Sequence, residues 1–371
     1  MKTDKIAIIG LGLIGGSLGM ALCRHDGKLE VTGYDSSSQV CTEALARNAV
    51  HKIASNLEEA IKEAGLVLLA VPVEKIQGVV EESSYYFKTG SVVMDVGSAK
   101  GVLARTIPSL LPPGVYYVGG HPMTGAESSG IFAADPFLFQ NAVFLLTPTE
   151  NIPPELVKEL YDVIKIVGGI PLLLNPEEHD KMVAVVSHLP HLLAAALVNY
   201  ASRFNQDYPQ TLSLAAGGFR DTTRVAMGSP ALWREIFNSN RFSLLQALEG
   251  FIGELQGFSR ELFTGEMELL EKRLGQAAIV RSEIPFRNKG FLDLSHELVV
   301  LLQDRPGAIA EVTLVLAGDA INIKDIEILR VREGEGGTLK LAFEDERQLK
   351  KAAGLLREQG FTVRIRGRER V

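Results

Sequence analysis

The stretch 5–23, KIAIIGLGLIGGSLGMALC, carries no charge after Lys5 and is broken by glycine at positions 10, 12, 15, 16 and 19. A charge-free stretch of 18 residues, 6–23, reaches the lower limit for a membrane span, but glycines at this spacing suit a strand, a tight turn and a helix better. No small-residue cleavage site precedes Arg24, so a secretory signal is not expected either. Gly10-Leu11-Gly12-Leu13-Ile14-Gly15 has the pattern GxGxxG between an apolar strand and a helix. In that context Gly10 permits the turn, Gly12 lets backbone approach a pyrophosphate, and Gly15 lets helix and strand pack closely. The helix N-terminus offers unpaired N–H groups to phosphate without any charged side chain. Leu13 and Ile14, which open the helix, and Val71 and Pro72, which follow a later apolar run, are expected to border the same ligand. Asp35 ends the next apolar run, 20 residues after Gly15. A carboxylate there accepts both ribose hydroxyls of an adenosine and repels a 2′-phosphate, which favours NAD over NADP. Ser36, Ser37 and Ser38 could accommodate a phosphate, but no Arg follows them.

Working outward, the runs 29–35, 66–71, 91–96, 115–119 and 143–147 are almost continuously apolar. Strands buried on both faces read this way, so the fold class is α/β, with a doubly wound, parallel Rossmann-type sheet in an NAD-binding domain over 1–172. From 173 to 282 the stretches 177–204, 208–218 and 230–280 have helical composition, which predicts an all-helical substrate and dimerisation domain. Its apolar segments 189–198 and 243–252 suggest a shared helical interface, hence a homodimer. A linker is expected at 283–295. The pattern then resets over 296–371 to strand, helix, two strands joined by GEGG, helix and strand, the ferredoxin-like βαββαβ order.

A chain of 371 residues is too long for one core, and a net charge of −7 supplies no basic field for nucleic acid or an anionic membrane. Two cysteines and no CxxC argue against a disulfide framework or structural zinc and point to a reducing cytoplasm.

In a doubly wound sheet the ligand crevice lies at the carboxyl ends of the strands. Ser98, in DVGSAK, and His121, in GGHPM, both fall there. A histidine can take a proton near neutral pH and a serine hydroxyl can orient it or the substrate; in isolation His121 would read as a buried residue shaping the turn with Pro122, but at a strand end beside a cofactor motif the functional reading is preferred. In the helical part, Ser187-His188-Leu189-Pro190-His191 lacks the HExxH pattern, so a metal pair is set aside in favour of helix packing or substrate contact. Arg220 and Arg224, at i and i+4, could clamp a carboxylate from one helical face or form a solvated pair with Asp221. Trp233, the single tryptophan, could cover such a pocket or pack in a core. No metal site is expected.

Together, GLGLIGGS, DVGSAKG, GGHPMTGAESSG, SHLPH, GFRDTTRVA and DRPG resemble the prephenate dehydrogenase family of bacterial tyrosine biosynthesis, fused to a C-terminal ACT regulatory domain. The resemblance implies NAD-dependent oxidative decarboxylation of prephenate to 4-hydroxyphenylpyruvate, CO2 and NADH in the cytoplasm. It implies that His121 accepts the proton of the ring C4 hydroxyl, that Ser98 hydrogen-bonds that hydroxyl, and that Arg224 anchors a substrate carboxylate with Arg220, His191 and Trp233 around it. Glu127 and Asp180 match a polar network near the site entrance. Asp304, Arg305, Pro306, Gly307 and Asn322 match an effector site, for which tyrosine is the natural occupant. Three other readings stay open at this point. One is an arogenate or dual-specificity cyclohexadienyl dehydrogenase. Another is a β-hydroxyacid or imine dehydrogenase relying on a lysine, for which Lys181 is the sole candidate between Lys165 and Lys272. The third is a non-catalytic sensor of NAD and an amino acid, which would have no use for His121 or Arg224.

Overall fold

The structure, a computed structural model, describes residues 4–25, 29–125, 129–149, 152–284, 296–302, 305–329 and 337–366. The chain divides into two compact units, Met1–Asn288 and Lys289–Val371.

The first unit opens with strands β1 (Lys5–Ile9), β2 (Glu30–Tyr34), β3 (Lys52–Ile53), β4 (Leu66–Leu69), β5 (Val92–Asp95), β6 (Tyr116–Pro122), β7 (Val143–Pro148) and β8 (Ile170–Leu173). Between them run helices α1 (Leu13–Cys23), α2 (Ser38–Ala46), α3 (Leu57–Ile61), α4 (Val73–Ser83), α5 (Gly101–Thr106) and α6 (Pro154–Ile166). The sheet order is β3-β2-β1-β4-β5-β6-β7-β8. The chain steps outward from β1 through β2 to β3 and then crosses back to β4 on the other side of β1, so the ligand crevice opens at the ends of β1 and β4. The period-2 alternation of side chains feeds two cores, one on each face. Ile6, Ile8, Leu66 and Leu68 join one, and Ala7, Ile9, Val67 and Leu69 join the other.

Two details depart from the expected all-parallel sheet. Strand β7 is antiparallel to β6. Between them the described residues contain only a 3-10 turn at Ile131–Ala133 rather than a crossover helix, and a chain that returns without a crossover pairs antiparallel. Strand β8, whose Pro171 hid it from pattern reading, lies at the sheet edge, where a missing N–H costs no ladder bond.

Next come α7 (Pro176–Val183), α8 (Leu189–Asp207), α9 (Gly217–Thr223), α10 (Pro230–Ser239), α11 (Arg241–Thr264) and α12 (Met267–Glu283). Asn175 caps α7 by accepting from the Glu177 and Glu178 N–H groups. A π turn at Ala184–His188 joins α7 to α8. The continuous segment Pro176–Asp207 is long and apolar enough to cross a bilayer by length and composition. It nevertheless buries His179, Asp180, His188 and His191 within the first unit. The helix expected over 208–218 reduces to a 3-10 turn at Leu212–Leu214, and the expected 230–280 helix breaks at Asn240 and at Gly265, whose φ of +77° is the left-handed cap that glycine favours.

The second unit has β9 (Glu297–Leu301), α13 (Ala308–Gly318), β10 (Asp325–Leu329), β11 (Thr338–Ala342), α14 (Glu346–Glu358) and β12 (Thr362–Arg366). Its sheet order is β10-β11-β9-β12 with every neighbouring pair antiparallel, the ferredoxin-like arrangement of an ACT domain. Leu298, Val300, Leu339 and Leu341 point from one face of the sheet onto Val312, Leu316, Leu349 and Leu356 of the two helices. The linker expected at 283–295 and the GEGG turn lie almost wholly outside the described residues.

Candidate active site

At the carboxyl ends of β1, β4, β5 and β6 lies a cavity of about 850 Å³, closed on its other side by α8, α10 and the 3-10 turn Arg224–Met227. The glycine turn forms one end. A Cβ at Gly10 (φ +92°) would lie 2.6 Å from the Ala70 carbonyl oxygen, and one at Gly15 would lie 1.9 Å from that of Gly10. Both positions exclude any side chain. Gly12 differs: nothing lies within 4 Å of its missing Cβ, and it borders the cavity with Leu13, Ile14, Val71 and Pro72. Helix α1 starts there with no side-chain cap, so no side chain occupies its first N–H groups at the cavity's edge. This cradle fits the pyrophosphate of a dinucleotide. Asp35 stands behind it, accepting from Leu11 N and Ser37 N at 2.9 Å each, and so ties the glycine turn to the end of β2.

The sheet wall carries the reactive groups. His121 lies within β6, between β5 and β7, and borders the cavity together with Ser98. The Ser98 turn is held from below on both flanks. Asp95 accepts from Gly97 N at 2.7 Å, and Asp180 accepts from Lys100 N and Gly101 N at 2.8 Å each. Asp95 is fully buried and also takes the Tyr117 hydroxyl at 2.6 Å and the Lys100 ammonium. Burial lowers the Lys100 pKa despite that carboxylate and raises the Tyr117 phenol well above its usual range, with Asp95 adding to the second effect. Burial also pushes the His121 imidazole well below its usual range, and His179, Lys100 and His188 reinforce the shift. His121 is therefore neutral at physiological pH, as a proton acceptor must be.

The helical wall carries Arg224, His191 and Trp233. His191 stacks on Trp233 with ring centroids 3.6 Å apart and planes 12° from parallel, and its buried Nδ1 has no hydrogen-bond partner among the described residues. An aromatic shelf with one unsatisfied polar atom is equipped to meet a small ring with an oxygen substituent.

Several expected positions move. Helix α9 ends at Thr223 and Arg224 begins the 3-10 turn, so Arg220 and Arg224 do not continue one helical face. Arg220 is exposed and does not border the cavity. Asp180 is buried beneath His179 rather than at an entrance, and it does not border the cavity either. Lys181 is exposed and away from the cavity, which removes the lysine-dependent reading. Glu127 and Asp304 lie outside the described residues. In the second unit Arg305 pairs with Glu311 at 2.6 Å, Gly307 takes φ +89° at the start of α13, and Pro306 and Asn322 are exposed. Pattern reading assigned no role to Asp95, Lys100, Tyr117 or His179. Lys100 is a lone cation in a small-residue turn and His179 sits in the charged stretch PEEHDK; both look solvated, and only burial reveals them.

Two family descriptions match the chain: "Prephenate dehydrogenase, nucleotide-binding domain" over 18–171 and "Prephenate dehydrogenase, dimerization domain" over 175–276. Prephenate dehydrogenase of Bacillus subtilis is 35% identical over 94% of both chains. That of Lactococcus lactis is 31% identical over 97% of this chain and 99% of its own. The crystal structure of prephenate dehydrogenase from Aquifex aeolicus in complex with hydroxyphenyl propionate and NAD+ superimposes with a TM-score of 0.71 at 30% identity, covering 77% of this chain and 99% of the other.

Proposed function

The chain belongs to the prephenate dehydrogenase family, and from that premise we propose how its cavity divides the labour of NAD-dependent oxidative decarboxylation of prephenate to 4-hydroxyphenylpyruvate, CO2 and NADH. One observation carries the assignment of residues: His121 and Arg224, 103 positions apart in sequence, border the same cavity as Gly12.

Gly12 and the α1 N-terminus receive the pyrophosphate, and Asp35 offers its carboxylate to the adenosine ribose. NAD, when bound, supplies the acceptor for the hydride that leaves C4 of prephenate. Ser98 hydrogen-bonds the C4 hydroxyl and His121 removes its proton. Arg224 forms a charge-assisted fork with a substrate carboxylate, and the His191–Trp233 shelf packs against the ring. Loss of CO2 from the resulting dienone makes the ring aromatic, which drives the reaction. The protein's task is alignment: C4 toward the nicotinamide, hydroxyl toward His121, carboxylates toward the helical wall. Arg220, exposed on the single chain, is assigned to the surface near that wall rather than to the cavity.

Formation of NADH on adding prephenate and NAD to the purified chain tests this reading. Prephenate is expected to be turned over far better than arogenate, and NAD far better than NADP; no turnover of either substrate would refute it. For the ACT domain we propose an amino-acid site around Arg305, Pro306, Gly307 and Asn322, with tyrosine as the effector. Inhibition by added tyrosine is the expected outcome, and an activity insensitive to it would leave the domain a structural module. The working form is a homodimer in the cytoplasm, supported by the dimerisation-domain match and by the exposed apolar faces of the helical half.

A further inference from the structure

Below the cavity, a line of polar groups runs from the sheet wall into α7. His121 Nδ1 lies 2.8 Å from His179 Nε2, and His179 Nδ1 lies 2.9 Å from Asp180 Oδ1. His179 is fully buried, and neither it nor Asp180 borders the cavity, so neither is placed to touch substrate there. The titratable neighbours of His121, namely His179, Lys100 and His188, all weigh against protonating it. With the ring neutral, what remains open is which nitrogen carries the hydrogen.

The far end of the line settles that. Burial alone would raise the Asp180 carboxyl, but hydrogen bonds from His179, Lys100 N and Gly101 N outweigh it and hold the group below its usual range. An ionised carboxylate only accepts, so His179 Nδ1 is the donor. With a single hydrogen on His179, kept on Nδ1 by Asp180, its Nε2 is an acceptor, and the hydrogen between the two rings then belongs to His121 Nδ1. His121 Nε2 keeps its lone pair.

We propose that His179 and Asp180 are positioning residues that lock His121 in the Nδ1–H tautomer, leaving Nε2 as the acceptor for the substrate's C4 hydroxyl proton. The inference rests on the reading of His121 as the base. The step is balanced: the proton leaves the substrate oxygen and arrives on Nε2, while Nδ1–H stays donated to His179. Asp180 also holds the Lys100 and Gly101 N–H groups, so one carboxylate sets both the tautomer of His121 and the placement of the turn bearing Ser98.

The test uses the full-length chain and Asp180→Asn, which preserves shape and one acceptor oxygen. Its amide can donate to His179 Nδ1, which moves the His179 hydrogen to Nε2 and forces His121 to carry its own on Nε2. Nitrogen-15 NMR of histidine-labelled protein with NAD bound is expected to show His121 protonated on Nδ1 in the parent and on Nε2 in the variant. Turnover should fall roughly 10²- to 10⁴-fold, as when the aspartate of a serine-protease triad becomes asparagine, while KM for prephenate changes by no more than about threefold. A parent His121 protonated on Nε2 overturns the proposal even if the variant does not fold. Unchanged kcat in a folded variant, or a loss confined to KM, overturns it as well. Full activity in His121→Asn would instead remove the base assignment and leave the tautomer measurement standing, so the two failures are distinguishable.

Discussion

The two walls of the cavity are built on different physics. On the sheet wall, His121 is held by the β7 ladder at its side and by a hydrogen bond beneath, and the Ser98 turn is tied at both flanks by buried carboxylates. On the helical wall, Arg224 comes from an exposed 3-10 turn, and His191 is held by stacking on Trp233 while its Nδ1 stays unsatisfied. On the roles proposed above, the groups that act at one fixed distance sit on the sheet and its tied turn, and the groups that grip a substrate sit near helix ends. The outer surfaces differ in the same sense. The sheet is covered on both faces, whereas α12 buries none of its residues and α11 leaves Leu245, Ile252, Leu255 and Leu262 exposed in one stripe. Such a stripe calls for a second copy to cover it.

If this contrast holds, substitutions on the two walls have different kinetic signatures. His121→Asn, on the sheet wall, is expected to lower kcat by roughly 10²- to 10⁴-fold with NAD affinity retained. Full turnover, measured by NADH absorbance, would break the comparison at its centre. Arg224→Ala, on the helical wall, should raise KM for prephenate roughly 10- to 100-fold with a smaller effect on kcat, because a charge-assisted hydrogen bond is lost. A collapse of kcat at unchanged KM would place Arg224 among the reacting groups instead. Leu255→Glu puts a charge in the α11 stripe and should weaken the dimer about tenfold or more in sedimentation experiments, with no change in the second unit's fold. An unaffected association constant would move the interface elsewhere.

Acid sharpens the comparison least in magnitude, through one histidine on the sheet wall and one buried behind the helical wall. In the proposed role of His121 as a neutral base, with its pKa pushed below 6.5, kcat/KM should fall as pH drops, with the limb below that value; a flat profile would contradict the base assignment. His188 is lowered from 6.5 to about 4, chiefly by burial. The unfolded chain therefore binds this proton first, and stability should decline as pH falls from about 6.5 toward about 4. The slope is at most about 1.4 kcal/mol per pH unit for each such histidine, measurable by denaturant titration at two pH values.

Much of this was legible without coordinates. The glycine spacing, the continuously apolar runs and the βαββαβ reset announced the domain types, because burial on one or two faces leaves a periodic trace. Ser98, His121, His191, Arg224 and Trp233 were recognisable from motifs, and all five border one cavity. The reversed strand β7 was not legible, since direction depends on whether the connection crosses over and not on the strand's own residues. Nor were the roles of Lys100, His179 and Asp180. A fully buried Lys100 has the same letter as a solvated one, and HDK in α7 reads like any charged helix start.

The sequence by itself determined which segments become strands and helices, where a dinucleotide's phosphates can approach, and which side chains are chemically able to move a proton or hold a carboxylate. These are local properties of composition and spacing. Only the tertiary structure decided that Arg220 stays away from the cavity that Arg224 borders, and that Asp180 is buried beside His179, beneath His121 and not at an entrance. It alone brings His121 and His179, 58 residues apart, within hydrogen-bonding distance. Long-range proximity and desolvation arise from how the elements pack, and no short window of residues encodes them.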